Sequence, residues 1–228
     1  MNIFSKLKVF FILFFFQLMA QGAEANVREN FYLGLGLVDS INHYELKVKD
    51  TSTQISVKRK KEHNQLLGSA FLGYGYTTHC SLYIAGELGT NFPKRSKKIS
   101  RPGVTFVPFT FVDRISIQEY VTGDILLGYR PFDCFVVYLR GGISVANIKL
   151  HQFVNSAASP FGFDADKTKA GGRIGAGLNY GLTKHFGLGA DYVFTGYQRF
   201  RAFWPMFSTL FVAENSSHFI SLSAIYSF

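Results

Sequence analysis

Eight stretches of this chain alternate apolar residues with small or polar ones at a period of two. A helix cannot keep one face apolar with that spacing, whereas a strand does so automatically. In the first stretch, Phe31, Leu33, Leu35 and Leu37 share a face opposite Gly34 and Gly36. In the second, Leu66, Ala70, Leu72, Tyr74 and Tyr76 oppose Ser69, Phe71, Gly73 and Gly75. The third sets Leu82, Ile84 and Leu88 against Tyr83, Glu87 and Gly89, and the fourth Val121, Ile125, Leu127 and Tyr129 against Thr122, Asp124 and Gly128. The second half continues with Val137, Leu139, Ile143 and Val145 opposite Tyr138, Arg140, Gly142 and Ser144. Ile174, Ala176, Leu178 and Tyr180 then oppose Arg173, Gly175, Gly177 and Asn179, and Phe186, Leu188, Ala190, Tyr192 and Phe194 oppose Gly187, Gly189, Asp191 and Thr195. The last stretch runs through Ile220, Leu222, Ala224, Tyr226 and Phe228.

The connections alternate in length. Residues 77–80, 131–134 and 183–185 read as tight turns, while the intervening connections are long and rich in Lys, Arg, Ser, Asn and Pro. Short turns on one side and long loops on the other suit a transmembrane β-barrel. The faces agree: the apolar face ends in Tyr and Phe, and the small face carries charges at mid-strand, so lipid lies outside. The expectation is an all-β fold, an eight-stranded antiparallel up-and-down transmembrane barrel. Residues 43–48 and 54–57 also alternate, suggesting a hairpin that projects beyond the membrane. Residues 104–117 are strand-like but contain Pro108, which removes a ladder donor. Ten strands therefore stay possible.

At the start, Lys6 and Lys8 precede an apolar run over 9–16, and Ala23-Glu24-Ala25 has small residues at the spacing of a signal-peptidase site. Residues 1–25 are read as a signal peptide and 26–228 as the barrel. The run falls short of the ~20 residues of a membrane helix. Removing Lys6, Lys8 and Glu24 leaves 22 basic against 14 acidic residues. Export argues against nucleic acid as the counterpart of that charge, and anionic lipid or an acidic glycan fits better. Neither a cofactor nor a metal is implied, since the histidines lack ligand spacing.

The chain resembles the small outer-membrane β-barrel superfamily of OmpA/OmpX-type barrels and opacity-type surface antigens. The resemblance is carried by Phe31-Tyr32-Leu33-Gly34-Leu35-Gly36-Leu37, Leu72-Gly73-Tyr74-Gly75-Tyr76, Leu126-Leu127-Gly128-Tyr129-Arg130-Pro131, the hairpin from Gly175 to Tyr192, and the final Leu222–Phe228. It implies residence in the outer membrane of a Gram-negative bacterium. It also implies recognition by the β-barrel assembly machinery through the C-terminal strand, with Tyr226 and Phe228 as the assembly signal.

Four groups of residues are candidates for a role. Glu87, Asp124 and Arg140 fall at similar heights on the inner face and should form an ion-pair cluster that plugs the lumen, with a narrow pore as the rival. Cys80 and Cys134 could form a disulfide, as an even count in an exported chain favours. One intervening strand would separate them by about 10 Å, against the less than about 7 Å that a disulfide tolerates. Glu214, Ser216 and His218 share a parity near the outer end of the last strand, where a lipid A-modifying enzyme would need an acid, a base and a nucleophile. The basic loops hold 17 of the 22 basic residues, densest at Lys58, Arg59, Lys60 and Lys61 and at Lys94, Arg95, Lys97 and Lys98. They suit a non-enzymatic, adhesin-like surface that contacts lipopolysaccharide or acidic host glycans.

Overall fold

A computed structural model describes residues 28–102, 110–155, 161–205 and 208–228. The expected signal peptide, 1–25, lies outside the described residues. Ten strands are present among them: β1 (Asn30–Asp50), β2 (Ser56–Thr77), β3 (Leu82–Phe92), β4 (Arg95–Pro102), β5 (Thr110–Phe132), β6 (Phe135–Asn155), β7 (Phe161–Gly181), β8 (Phe186–Tyr197), β9 (Phe200–Trp204) and β10 (Thr209–Ser227). Eight close a ring in the order β1-β2-β3-β5-β6-β7-β8-β10, with β10 returning to β1. The other two are short: β4 pairs with β5, and β9 pairs with β10. The barrel is eight-stranded; of the ambiguous segments, 43–48, 56–57 and 110–117 extend its wall on one side, and 104–109 lies outside the described residues.

The ring behaves as the alternation requires. Leu35, Leu72, Leu88, Ile125, Leu139, Ile174, Leu188 and Leu222, one from each ring strand, are exposed on the outside. At the turn end, Phe31 packs edge-on against Tyr74 and Phe186 against Tyr226, both with centroids 5.0 Å apart, and Tyr76, Tyr129 and Phe132 are exposed beside them. This is the aromatic girdle of a membrane interface. β3 spans the apolar band with 11 residues, which at the usual rise and tilt corresponds to a thickness of about 25–30 Å.

Beyond that band the strands continue, but the faces exchange chemistry. Exterior positions become polar: Glu45, Lys47, Lys58, Lys60, Lys98, Arg114 and Lys149. Interior positions become apolar, and Tyr44, Leu46, Val48, Ile115, Ile117, Ile148, Leu150, Phe200, Trp204 and Phe211 form the largest buried cluster, with Phe163 packed against it. Water replaces lipid as the outer solvent here, so the hydrophobic effect now drives apolar groups inward. The wall also divides. β2, β1, β10 and β9 form one sheet, β4, β5, β6 and β7 the other, and the cluster lies between them as in a sandwich.

One irregularity sets the inner face of β5. A register shift between Glu119 and Val121 inserts an unpaired residue, so Asp113, Ile115, Ile117 and Glu119 are buried above it and Thr122, Asp124 and Leu126 below it. The extra residue moves the inner set from odd to even numbers. Without it, either Glu119 or Asp124 would face outward.

The projecting layer has a core of its own and should be separable in stability from the membrane ring. Phe211→Ala removes a buried ring stacked on Phe163 and should cost that layer ~3–5 kcal/mol. The expected outcome is faster proteolysis within β1, β6 and β10 above the membrane, with heat-modifiable gel migration retained. Loss of both would mean that the two layers fold as one unit.

Candidate functional site

The lumen is crossed by two polar layers. In the lower one, Glu87 on β3 and Asp124 on β5 stand directly opposite each other across the strand pair. Two adjacent carboxylates need cations between them. Arg140 on β6 supplies one: its Nη2 donates to Glu87, its Nη1 lies 3.7 Å from Asp124, and Nη2 lies 3.6 Å from Asp191. Arg173 on β7 donates to Asp124 at 3.1 Å. Arg28, just before β1, lies 3.2 Å from Glu87 and 3.9 Å from Asp191. Three guanidinium groups thus meet three carboxylates and the layer is neutral, as burial of charge demands.

Tyrosines complete the carboxylate shells. The Tyr32 hydroxyl donates to Glu87 at 3.0 Å, and the Tyr138 hydroxyl donates to Asp191 at 2.5 Å. Glycine on the neighbouring strand makes room for each ring. A Cβ on Gly73 would lie 2.5 Å from the Tyr32 ring, and one on Gly177 would lie 2.5 Å from the Tyr138 hydroxyl. Narrow bore and bulky hydrogen-bonding side chains are compatible only because those facing positions are bare.

The upper layer centres on Arg95 and Glu119, paired at 3.2 Å. Arg95 also donates to the Asn42 side chain at 2.8 Å, Ser217 at 2.7 Å and the Tyr197 hydroxyl at 3.0 Å. Glu119 accepts from Tyr197 and, at 2.5 Å, from Asn91. Between the layers is a cavity of about 50 Å³ lined in part by Glu87, Asp124, Arg140 and Arg173 below and by Asn91, Val38 and Phe219 above. That is space for a few waters at most.

The sequence-derived cluster of Glu87, Asp124 and Arg140 is therefore brought together. Arg28, Arg173 and Asp191 escaped it, although charge balance offered a signal: two acids and one cation on the inner face cannot be a neutral buried set, and Arg173 has the same facing. Arg95 is corrected outright. It was grouped with the exposed cations of its loop but is 1% exposed and points into the lumen, because period two turns Arg95 away from its neighbours Lys94 and Lys98. The two cysteines are free thiols, not a disulfide. β5 lies between the strands that follow them, and that separation exceeds disulfide reach.

On the outer wall the basic residues separate by face. Lys58 and Lys60 point outward and share Glu45, at 2.5 and 3.5 Å. Hydrogen bonding to Lys58 holds the Glu45 carboxyl below its ordinary range. Lys47 stands directly opposite Lys58, and Lys98 directly opposite Arg114. Arg59 and Lys61 lie on the opposite parity and are exposed, as is Lys94, while Lys97 is half-buried and reaches to 3.4 Å from His63. Burial and the Lys97 ammonium hold His63 below its ordinary value. Glu214, Ser216 and His218 do not assemble as a set: Glu214 pairs with Arg199 at 2.5 Å, and His218 shares a 2.7 Å hydrogen bond with the Tyr192 hydroxyl.

The lower layer can be tested by unbalancing it. Arg140→Met leaves three carboxylates facing two cations and should lower stability by ~3–5 kcal/mol, read as a shifted urea midpoint in lipid vesicles. Adding Glu87→Gln should recover a substantial part of the loss, since the two side chains act as one unit. An unchanged midpoint in the single variant would place Arg140 outside any balanced network.

The model of the outer membrane protein beta-barrel domain matches residues 9–228. The 31 kDa outer-membrane immunogenic protein of Brucella melitensis is 33% identical over 79 residues, which is 35% of this chain. That match spans about a third of the relative, 33% of its length. Among solved structures, the outer-membrane protease OmpT of Escherichia coli superposes with a TM-score of 0.55 at 8% identity, covering 88% of this chain and 97% of its own. The attachment invasion locus protein Ail of Yersinia pestis, solved with the heparin analogue sucrose octasulfate, gives a TM-score of 0.42 at 16% identity, covering 86% and 99%. At these identities the likeness concerns the fold. With its closed ring, lipid-facing apolar band and family match over 9–228, the chain belongs to the outer membrane protein beta-barrel domain family and resides in the bacterial outer membrane.

Proposed function

We propose that the protein is a non-enzymatic surface-interaction barrel whose projecting basic wall contacts anionic sugars, either lipopolysaccharide phosphates or acidic host glycans. The observation that carries this reading is the pairing of like charges on the outer wall, Lys47 opposite Lys58 and Lys98 opposite Arg114. Directly opposed cations destabilise a sheet unless an anion compensates them, and Glu45, shared by Lys58 and Lys60, is one carboxylate against the three cations Lys47, Lys58 and Lys60. The neutral, filled lumen supports a closed barrel over a pore.

Neutralising Lys47, Lys58, Lys98 and Arg114 together should leave heat-modifiable migration intact. It should slow association with immobilised heparin or lipopolysaccharide on the order of tenfold at low salt. Binding by the unaltered protein should fall steeply as salt rises, because exposed charges act over a Debye length of about 8 Å at physiological ionic strength. Equal retention of both proteins would remove the polyanion reading.

The same proposal includes a leader, 1–25, cleaved after Ala25, and assembly directed by the C-terminal strand. Support for the latter comes from the position of β10, which closes the ring against β1, and of Phe228, whose amide donates to the Phe31 carbonyl at 3.0 Å. Phe228→Ser should lower the yield of heat-modifiable barrel without blocking export to the periplasm. Normal barrel yield would show that the terminal ring carries no assembly information.

A further inference from the structure

The wall is closed through the membrane but opens on one side above it. β2 pairs with β3 only from Gly68 to Thr77, while its upper part, Ser56 to Leu67, has β1 on one side and no strand partner on the other among the described residues. Among the described residues β4 likewise pairs with β5 alone. The two edges run antiparallel and meet at the base, where the Gln65 amide donates to the Lys94 carbonyl at 3.5 Å and Lys97 reaches His63. Above that point every residue from Ser56 to Leu66 is exposed or half-buried.

The other seam, between β7 and β9, is different. Lys167 donates to the Arg201 carbonyl across it at 3.3 Å, and Gln198 donates to the Ala170 carbonyl at 3.1 Å. Its interior is filled by Phe163, Trp204 and Phe211 in stacked contact. No aromatic stack of that kind fills the β2–β4 seam among the described residues. The seam's inward-facing residues on β2 are Val57, Arg59, Lys61, His63 and Gln65, and on β4 Lys97 faces the same way, so three of them carry full positive charge. Arg59 and Lys61 have no ion-pair partner among the described residues.

Unpaired strand edges are templates for another strand, and a strand directs alternate side chains to one face. We propose that the β2–β4 seam receives an extended acidic polypeptide segment of a partner protein. The segment hydrogen-bonds to both free edges, and carboxylates at every second position face Arg59, Lys61 and Lys97. The length of β4, 8 residues, sets the length of the segment. This site deepens the surface-interaction reading and rests on it for its biological setting, but it uses inward cations where that reading uses the outward pairs. An edge guarded by lysines is also a known defence against unwanted pairing, so the test must separate guarding from reception.

The probe is an 8-residue peptide alternating Glu and Thr, matched to β4, with a fluorescent label. It is titrated against the full-length barrel in lipid nanodiscs. Binding should protect amides of Ser56–Leu67 and Arg95–Arg101 from hydrogen exchange. It should weaken about tenfold in the inward variant Arg59→Ser/Lys61→Ser/Lys97→Ser and by no more than about twofold in the outward variant Lys47→Ser/Lys58→Ser/Lys98→Ser, whose cations act on the peptide only through the screened field. A control peptide with proline at the edge-facing positions should not bind, because it lacks the amides that a ladder requires. The proposal is overturned if the proline peptide binds equally well, if no amide is protected, or if neither peptide binds. It is also overturned if a heparin oligosaccharide, and not the Glu–Thr peptide, depends on the inward cations. Heparin binding lost only in the outward variant would leave the surface reading standing whatever the peptide does.

Discussion

Within the bilayer no water can satisfy a backbone N–H or C=O, and the structure depends on that constraint. A sheet in hydrocarbon must therefore have no edge, so β10 returns to pair with β1 along its whole membrane height. Closure with eight strands leaves a bore too narrow to be a solvent channel and too wide to stay empty. The filling must carry its own hydrogen bonds and sum to zero charge. Arg28, Arg140 and Arg173 against Glu87, Asp124 and Asp191 balance the charge, as do Arg95 and Glu119 one layer above, and hydrogen bonds from Arg140, Arg173 and the tyrosines serve the carboxylates. Glycines such as Gly73 and Gly177 follow in turn, because the tyrosines that complete the carboxylate shells need bare strand beside them.

Above the bilayer the constraint is lifted. Water can solvate an open edge, so the ring is free to part into two sheets, and the hydrophobic effect inverts the faces without changing the parity of β1. The same strand can thus be apolar outward at Leu37 and apolar inward at Leu46. Within β5 the extra residue between Glu119 and Val121 lets both lumen layers draw a carboxylate from one strand.

The membrane half of this fold was readable residue by residue, since lipid outside and small groups inside produce a clean alternation. The tight turns at 77–80, 131–134 and 183–185 were readable too, as was the set of Glu87, Asp124 and Arg140. The upper reaches of β2, β6, β7 and β10 were much less so. There the apolar residues move to the opposite face, and the long polar stretches around them have the composition of loops. Arg95 was misplaced for the same reason: a run of cations looks like one solvated patch until pairing with β5 shows which of its members face the lumen.

The sequence by itself determined the environment of the ring strands and pointed to eight with ten left open, because solvent on each face acts on each side chain independently and leaves its mark at a period of two. Only the tertiary structure decided which charges meet. The partners of Arg28 are 59 and 163 positions away in the chain, at Glu87 and Asp191, and local spacing says nothing of such distances. Charge neutrality inside the bore is a property of the closed ring as a whole, set by shear and register once all eight strands are in place.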